Sequence, residues 1–161
     1  MFREMRRKRQ ALDRARCEEI LLRGSCGVLA VAGDDGYPYA VPLSYVYAGG
    51  KLYFHSAKAG HKTDAVRRCP KASFCVVGAD RVVPAEYTTY FRSAIAFGTV
   101  RILEDDGEKR AAIELLARKY HPDDTAERRA AFIDREWTLL AVWEMTIDHL
   151  SGKEARELAK G

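Results

Sequence analysis

The chain has 161 residues, 47% of them hydrophobic and 31% charged, with a formal net charge of +4. That length and balance predict one domain with a sizeable core, and no apolar run approaches the ~20 residues that a membrane-crossing helix requires. The basic start, MFREMRRKRQALDRAR, has no apolar stretch of the kind a secretory signal carries, so a cytoplasmic protein with no membrane partner is expected.

Residues 10–23 (QALDRARCEEILLR) place Leu12, Ala15, Ile20 and Leu21 at helical spacing, with Gly24 as the C-cap, and predict a basic N-terminal helix at about 8–23. Seven Lys/Arg stand within residues 1–16 against Glu4 and Asp13. Nothing around them resembles a helix-turn-helix, a zinc finger or an aromatic-rich RNA motif, so they read as a solvated helix face and no nucleic-acid partner is expected. CGVLAVAG (26–33) is a β-rich run that ends at the turn signal Asp34-Asp35-Gly36. YPYAVPLSYVY (37–47) alternates, with Tyr39, Val41, Leu43, Tyr45 and Tyr47 on one face, and KLYFHSA (51–57) after Gly49-Gly50 is its hairpin partner. HKTDAVRRC (61–69) reads as a short helix stopped by Pro70, and KASFCVVG (71–78) as a strand. A long β-rich segment runs from Tyr87 to Leu103, with Phe91, Ser93, Ile95, Phe97 and Thr99 on one face. Two helices come next at 107–120 and 125–137, the second capped by Thr125. TLLAVWEMTIDHL (138–150) closes the core, and a charged tail at about 151–161 ends the chain.

No repeat or linker divides the chain, so residues 1–161 are read as a single domain. Antiparallel hairpins dominate and no βαβ alternation appears, which favours an α+β, mainly β barrel with peripheral helices over a doubly wound sheet.

Cys17, Cys26, Cys69 and Cys75 form no C-x-x-C pair, which excludes a zinc knuckle and a thioredoxin-type motif. They are expected as free thiols, with Cys26 and Cys75 packed as small hydrophobes. No glycine-rich nucleotide loop, H-E-x-x-H pair or G-x-S-x-G elbow occurs, and the four histidines lack ligand spacing, so no metal site is expected.

Two features carry chemistry. Pro42 stands in mid-strand and donates nothing to a ladder, so its strand is an edge or is bulged there. One reading is a harmless edge proline; the other is a backbone that faces a planar heterocycle with polar edge atoms. The second feature is FHSAKAGHKTD (54–64). A strand ends at His55-Ser56, Gly60 permits an unusual turn, and His61-Lys62 open a helix whose unpaired N–H groups suit a phosphate. Lys62 adds a full charge, His61 a directional donor and Ser56 a hydroxyl.

The runs GYPYAVPLSYVY, GGKLYFHSAKAGHK and CPKASFCVVG, with TTYFRSAIAFGTVRIL and an E-x-L-x-x-K-Y helix after them, resemble the nitroimidazole-resistance proteins of the pyridoxamine 5′-phosphate oxidase-like, FMN-binding split-barrel superfamily. The resemblance covers roughly residues 5–153. It implies a Greek-key-like split β-barrel, a homodimer with FMN at the interface, and a small-molecule substrate such as a nitroaromatic. It places the backbone of Val41, Pro42, Leu43 and Ser44 along the isoalloxazine, His55 and Ser56 beside it, and His61 and Lys62 at the phosphate. Ser93 matches a flavin-contacting position that is commonly glutamine in the related oxidases. His55 is then the side chain nearest the reacting edge, with a pKa range suited to proton donation near neutrality. A flavin-binding module without turnover, and a barrel that uses haem or a deazaflavin, are the alternatives. The oxidases have Arg-Lys where this chain has His61-Lys62, and they carry a C-terminal Trp/Arg signature; Trp137 and Trp143 read instead as core residues. Those departures argue against vitamin-type oxidase activity.

Overall fold

The computed structural model describes residues 2–160. Seven strands form one antiparallel sheet: β1 (Ala11–Leu12), β2 (Cys26–Ala32), β3 (Pro38–Ala48), β4 (Lys51–Ala57), β5 (Lys71–Val83), β6 (Thr88–Ile102) and β7 (Leu140–Glu154). Their order is β1-β7-β4-β3-β2-β5-β6, and β6 pairs back onto β7, so the sheet closes into a split barrel. Helices α1 (Arg14–Arg23), α2 (His61–Arg68), α3 (Asp106–Tyr120) and α4 (Ala126–Glu136) lie around it.

The alternation of small-period apolar residues decides which side of each strand enters the barrel. Tyr45, Phe54, Phe74, Trp143 and Met145 are fully buried there, and Phe74 meets the Tyr45 and Phe54 rings edge-on at 4.8 and 5.0 Å. Helix α1 adds Cys17, Ile20 and Leu21 to that core. A second cluster lies outside the barrel wall, where Ile113 and Leu116 of α3 and Ile133 of α4 cover Val46 and Val142, with Trp137 packed against its edge. Side-chain caps start three helices: Asp13 accepts from the Arg16 N–H, Asp105 from Glu108 and Thr125 from Arg128.

Both chain ends correct the sequence reading. No helix spans 8–23: Lys8–Gln10 is a single 3-10 turn, Ala11 and Leu12 pair with Lys153 and Gly152, and Asp13 caps a helix that begins only at Arg14. The supposed tail at 151–161 begins as the last four residues of β7, paired with both β1 and β6. Glu154 is 2% exposed. It accepts two bonds from Arg16 (2.8 and 3.1 Å) and one from Arg92 (2.9 Å). A charged run reads as solvated surface when the partners that neutralise it stand far away in sequence, as these arginines do. The cysteines are free as expected, but Cys26 is exposed and Cys75 half-buried, while Cys17 is the buried one. Among the described residues no helix is long and apolar enough to cross a membrane.

Candidate active site at the parting of two strands

Strands β3 and β4 pair only from Ala48 and Lys51 to Tyr45 and Phe54. Beyond that point they separate. Residues 38–44 keep β2 as their neighbour and residues 55–57 keep β7, so their facing edges have no strand between them.

Main-chain polar groups alternate between the two edges of a strand. Gly33 donates to the Tyr37 carbonyl at 2.9 Å on the β2 side. Tyr45 donates to the Tyr120 hydroxyl at 2.8 Å, which in turn donates to Ser25, just before β2. The odd-numbered residues, Val41 and Leu43 included, therefore point their polar atoms at β2 and their side chains at the core. Ala40, Pro42 and Ser44 turn theirs into the gap. Pro42 thus sits where no ladder requires its N–H, and the exposed side chains Pro38, Ala40, Pro42 and Ser44 make a flat floor. Of the four residues named from the sequence, two present main-chain groups to the gap. Ala40, which does so as well, was not named, because composition alone does not reveal the parity of a strand.

Helix α2 closes one end of this gap. Gly60 takes φ 124° and ψ 168°, a region open to glycine at little cost, and its carbonyl accepts from both Thr63 and Asp64. No side chain caps the helix, so the N–H groups of His61 and Lys62 stay free among the described residues. Lys62 has no ion-pair partner there either. His61 is engaged elsewhere. Its ring stacks on Tyr39 at 4.1 Å and its Nε2 lies 3.4 Å from Asp34 Oδ2. Arg68 bonds the same turn through Asp34 and the carbonyls of Ala32 and Gly33. Ser56 points inward and is buried, and its hydroxyl has no hydrogen-bond partner among the described residues.

His55 faces the opposite way from Ser56, into an apolar cleft of about 310 Å³ between the strands and the α3–α4 pair. Its ring is accessible at the mouth and crowded by apolar groups behind. That burial, and then the charge on Lys62, hold its pKa below the ordinary 6.5. The imidazole is consequently mainly neutral at neutral pH, poorer as an acid than the sequence reading supposed and better as a single N–H donor. Ser93 stands apart. It pairs with Val77 of β5 and Lys153 of β7, so one chain does not bring it to the gap.

A wedge holds the gap's other side in place. Lys119 Nζ donates to the carbonyls of Gly24 (2.6 Å) and Tyr45 (2.8 Å) and lies 3.9 Å from the centre of the Tyr45 ring. The Tyr120 hydroxyl lies 2.9 Å from the Tyr45 carbonyl. These two residues are the K-Y of the E-x-L-x-x-K-Y helix. The motif was legible; its attachment to β3 was not.

A barrel split along one seam, with a helix N-terminus at the seam, defines a class that likeness to known proteins makes specific. The chain belongs to the pyridoxamine 5′-phosphate oxidase family, whose profile matches residues 13–154. A candidate 5-nitroimidazole antibiotic resistance protein from Bacteroides thetaiotaomicron superposes with a TM-score of 0.74 at 26% identity, over 90% of this chain and 87% of that one. An FAD-binding protein from Mesorhizobium loti superposes at 0.61, also with 26% identity, over 91% of this chain and 97% of the other. An uncharacterised protein of Rhizobium meliloti (strain 1021) is 36% identical over 64 residues, which is 40% of this chain and 41% of that protein's length.

Proposed function

We propose that this chain is a cytoplasmic FMN-dependent oxidoreductase, working as a homodimer with the cofactor at the interface and reducing small oxidised substrates such as nitroaromatics. The observation that carries this reading is the seam itself. Ala40, Pro42 and Ser44 hold unpaired main-chain donors and acceptors along a flat floor, which suits the polar edge of a planar heterocycle. The uncapped start of α2 and the unpaired Lys62 stand at its end, which suits a phosphate dianion. The residues present therefore fit FMN. Once reduced, the flavin supplies the electron transfer, while the chain supplies position and surroundings. His55 would donate a hydrogen bond, or a proton, to substrate at the reacting edge. His61 would orient α2 rather than grip the phosphate.

The dimer reading has its own support. The outer faces of β2 and β5 expose Val28 and Val77, and the arm beyond them exposes Val82 and Tyr87. These residues adjoin the floor on the same side of the sheet, so a second copy seated there would cover the flavin. A flavin enclosed in this way also gives Ser93 a route to it from the other chain.

The test is an absorbance spectrum of the purified protein, mass spectrometry of whatever denaturation releases, and light scattering for the oligomeric state. Oxidised flavin bands with the mass of FMN, on a particle of twice the chain mass, support the reading. A haem band, a deazaflavin mass, an FAD mass, or a colourless protein that takes up no added FMN overturns the cofactor assignment. A monomer overturns the interface.

A further inference from the structure

The cleft that holds His55 is walled by Leu116 and Tyr120 of α3 and by Phe132 and Ile133 of α4, and it borders Ser44 at the edge of the seam. At about 310 Å³ it lies at the low end of small-molecule sites, with room for one aromatic ring and short substituents. Among the described residues no lysine or arginine lines it. Lys119, on the same helix, is turned away onto the carbonyls of Gly24 and Tyr45. The one carboxylate in the wall is Glu136, and Arg135 holds it with a 3.1 Å bond. Arg135 does not line the cleft; it covers the Phe132 ring, its guanidinium 4.4 Å from the ring centre, and Arg128, also outside the lining, lies 5.9 Å from that ring and 3.7 Å from Asp124.

An anion placed in such a wall loses its water and meets Glu136, while the flanking cations stand outside the lining and two of them are paired, Arg135 with Glu136 and Arg128 with Asp124. A phosphorylated substrate, of the kind the family's name describes, therefore has no counter-ion in the lining. We propose that this cleft is the substrate pocket, that it selects an uncharged aromatic ring over an anionic one, and that Phe132 and Glu136 set the selection. Phe132 supplies the face on which the ring stacks. Glu136 repels anions and also occupies Arg135, which would otherwise attract them.

Turnover of a bound ring rests on the proposed flavin; recognition by the cleft does not, and is measured separately. Three ring compounds of matching shape, 4-nitrobenzylamine, 4-nitrobenzyl alcohol and 4-nitrobenzoate, are titrated calorimetrically into the protein as purified. The alcohol should bind at least about tenfold more tightly than the benzoate, with the amine, a cation that Glu136 does not repel, between them. Phe132→Ala should weaken the alcohol roughly fivefold. Glu136→Gln should bring benzoate to within about threefold of the alcohol, with an unchanged thermal melt showing that the variant is folded. Benzoate binding as tightly as the alcohol to the unmodified protein, or a preference that neither variant moves, overturns the proposal. So does pyridoxal 5′-phosphate binding more tightly than the alcohol. If the spectrum shows no flavin and the selectivity persists, the cofactor reading fails and the pocket stands. If flavin is present and the selectivity is absent, the reverse holds.

Discussion

Two parts of this barrel hold polar groups against an apolar background, and they do so in opposite ways. At the closed end Glu154 is answered by Arg16 and Arg92, and on the wedge beside the seam the Gly24 and Tyr45 carbonyls are answered by Lys119 and the Ser25 carbonyl by Tyr120. At the seam groups are left unanswered: main-chain atoms of Ala40, Pro42 and Ser44, the N–H groups that open α2, the Ser56 hydroxyl and the ammonium of Lys62. Buried polar groups in folded proteins are nearly always paired; among the described residues Gln10 and Trp143 hold an unpaired atom elsewhere, so the Ser56 hydroxyl alone does not mark a site. What sets the seam apart is that this hydroxyl stands beside open main-chain groups and an unpaired ammonium, which is room for a ligand, whereas the paired groups are architecture. The contrast predicts that substitutions at the seam change chemistry at constant stability, and that substitutions at the closed end do the reverse.

The largest effect should come from His55→Gln. Loss of a positioned acid or hydrogen-bond donor commonly costs ~10²-fold or more, so steady-state reduction of a nitroaromatic should fall by about 100-fold with little change in Tm. Because the pKa of His55 is lowered by burial and by Lys62, the protonated fraction grows only as the medium becomes acidic. A rate that uses this proton therefore rises from about pH 8 towards about pH 6, and that slope should vanish in the variant. A variant with an unchanged rate removes His55 from the chemistry.

Next is Glu154→Gln at the saturated end. It leaves two guanidinium groups facing a neutral amide inside a nearly closed site. Breaking a buried ion pair costs ~3–5 kcal/mol. Here the arginine side chains are 40% and 31% exposed, and solvent screening reduces the expected loss to roughly 2 kcal/mol. Thermal melting should show a fall of roughly 4–8 °C, with flavin affinity preserved. Tyr120→Phe sits between the two regions and should sharpen the comparison. It strips hydrogen-bond partners from Tyr45 and Ser25 for about 1 kcal/mol of stability, and it releases β3 beside Ser44. A rise in the flavin dissociation constant larger than the stability loss would show that the wedge positions the floor.

The same contrast explains what the sequence disclosed. Strand and helix identities were legible because they depend on local pattern: the alternation of Tyr39, Val41, Leu43, Tyr45 and Tyr47, the cap at Thr125, the turn at Gly60. The mid-strand Pro42 pointed to an edge or a bulge, and the structure shows the edge. What stayed hidden depends on distant pairing. Glu154 belongs to the fold only because Arg16 and Arg92 reach it, and Asp34 draws His61 away from the helix entrance only because the turn after β2 folds against α2. The walls of the His55 cleft come from helices more than fifty residues further on, with no signal in the strand they cover.

The smallest effect is a pH dependence of stability, and its sign is set by His55. In the fold its pKa lies below the ordinary value; in the unfolded chain it lies near 6.5. Above that ordinary value both states hold the ring neutral, and the folded state keeps its full advantage. As the pH falls through it, the unfolded chain takes up a proton first, so stability declines until the pH has passed the folded-state pKa as well. His55→Gln should therefore flatten the urea midpoint between about pH 7 and about pH 5. Glu144 is buried, which alone would raise its pKa, yet bonds from Arg101 and Lys51 hold it below the ordinary carboxylate range. The stability it contributes persists through that interval and is lost only as the pH falls through its own lowered value. A variant that kept the wild-type slope above about pH 5 would assign the titration to another group and remove the apolar wall as the cause of the imidazole's neutrality.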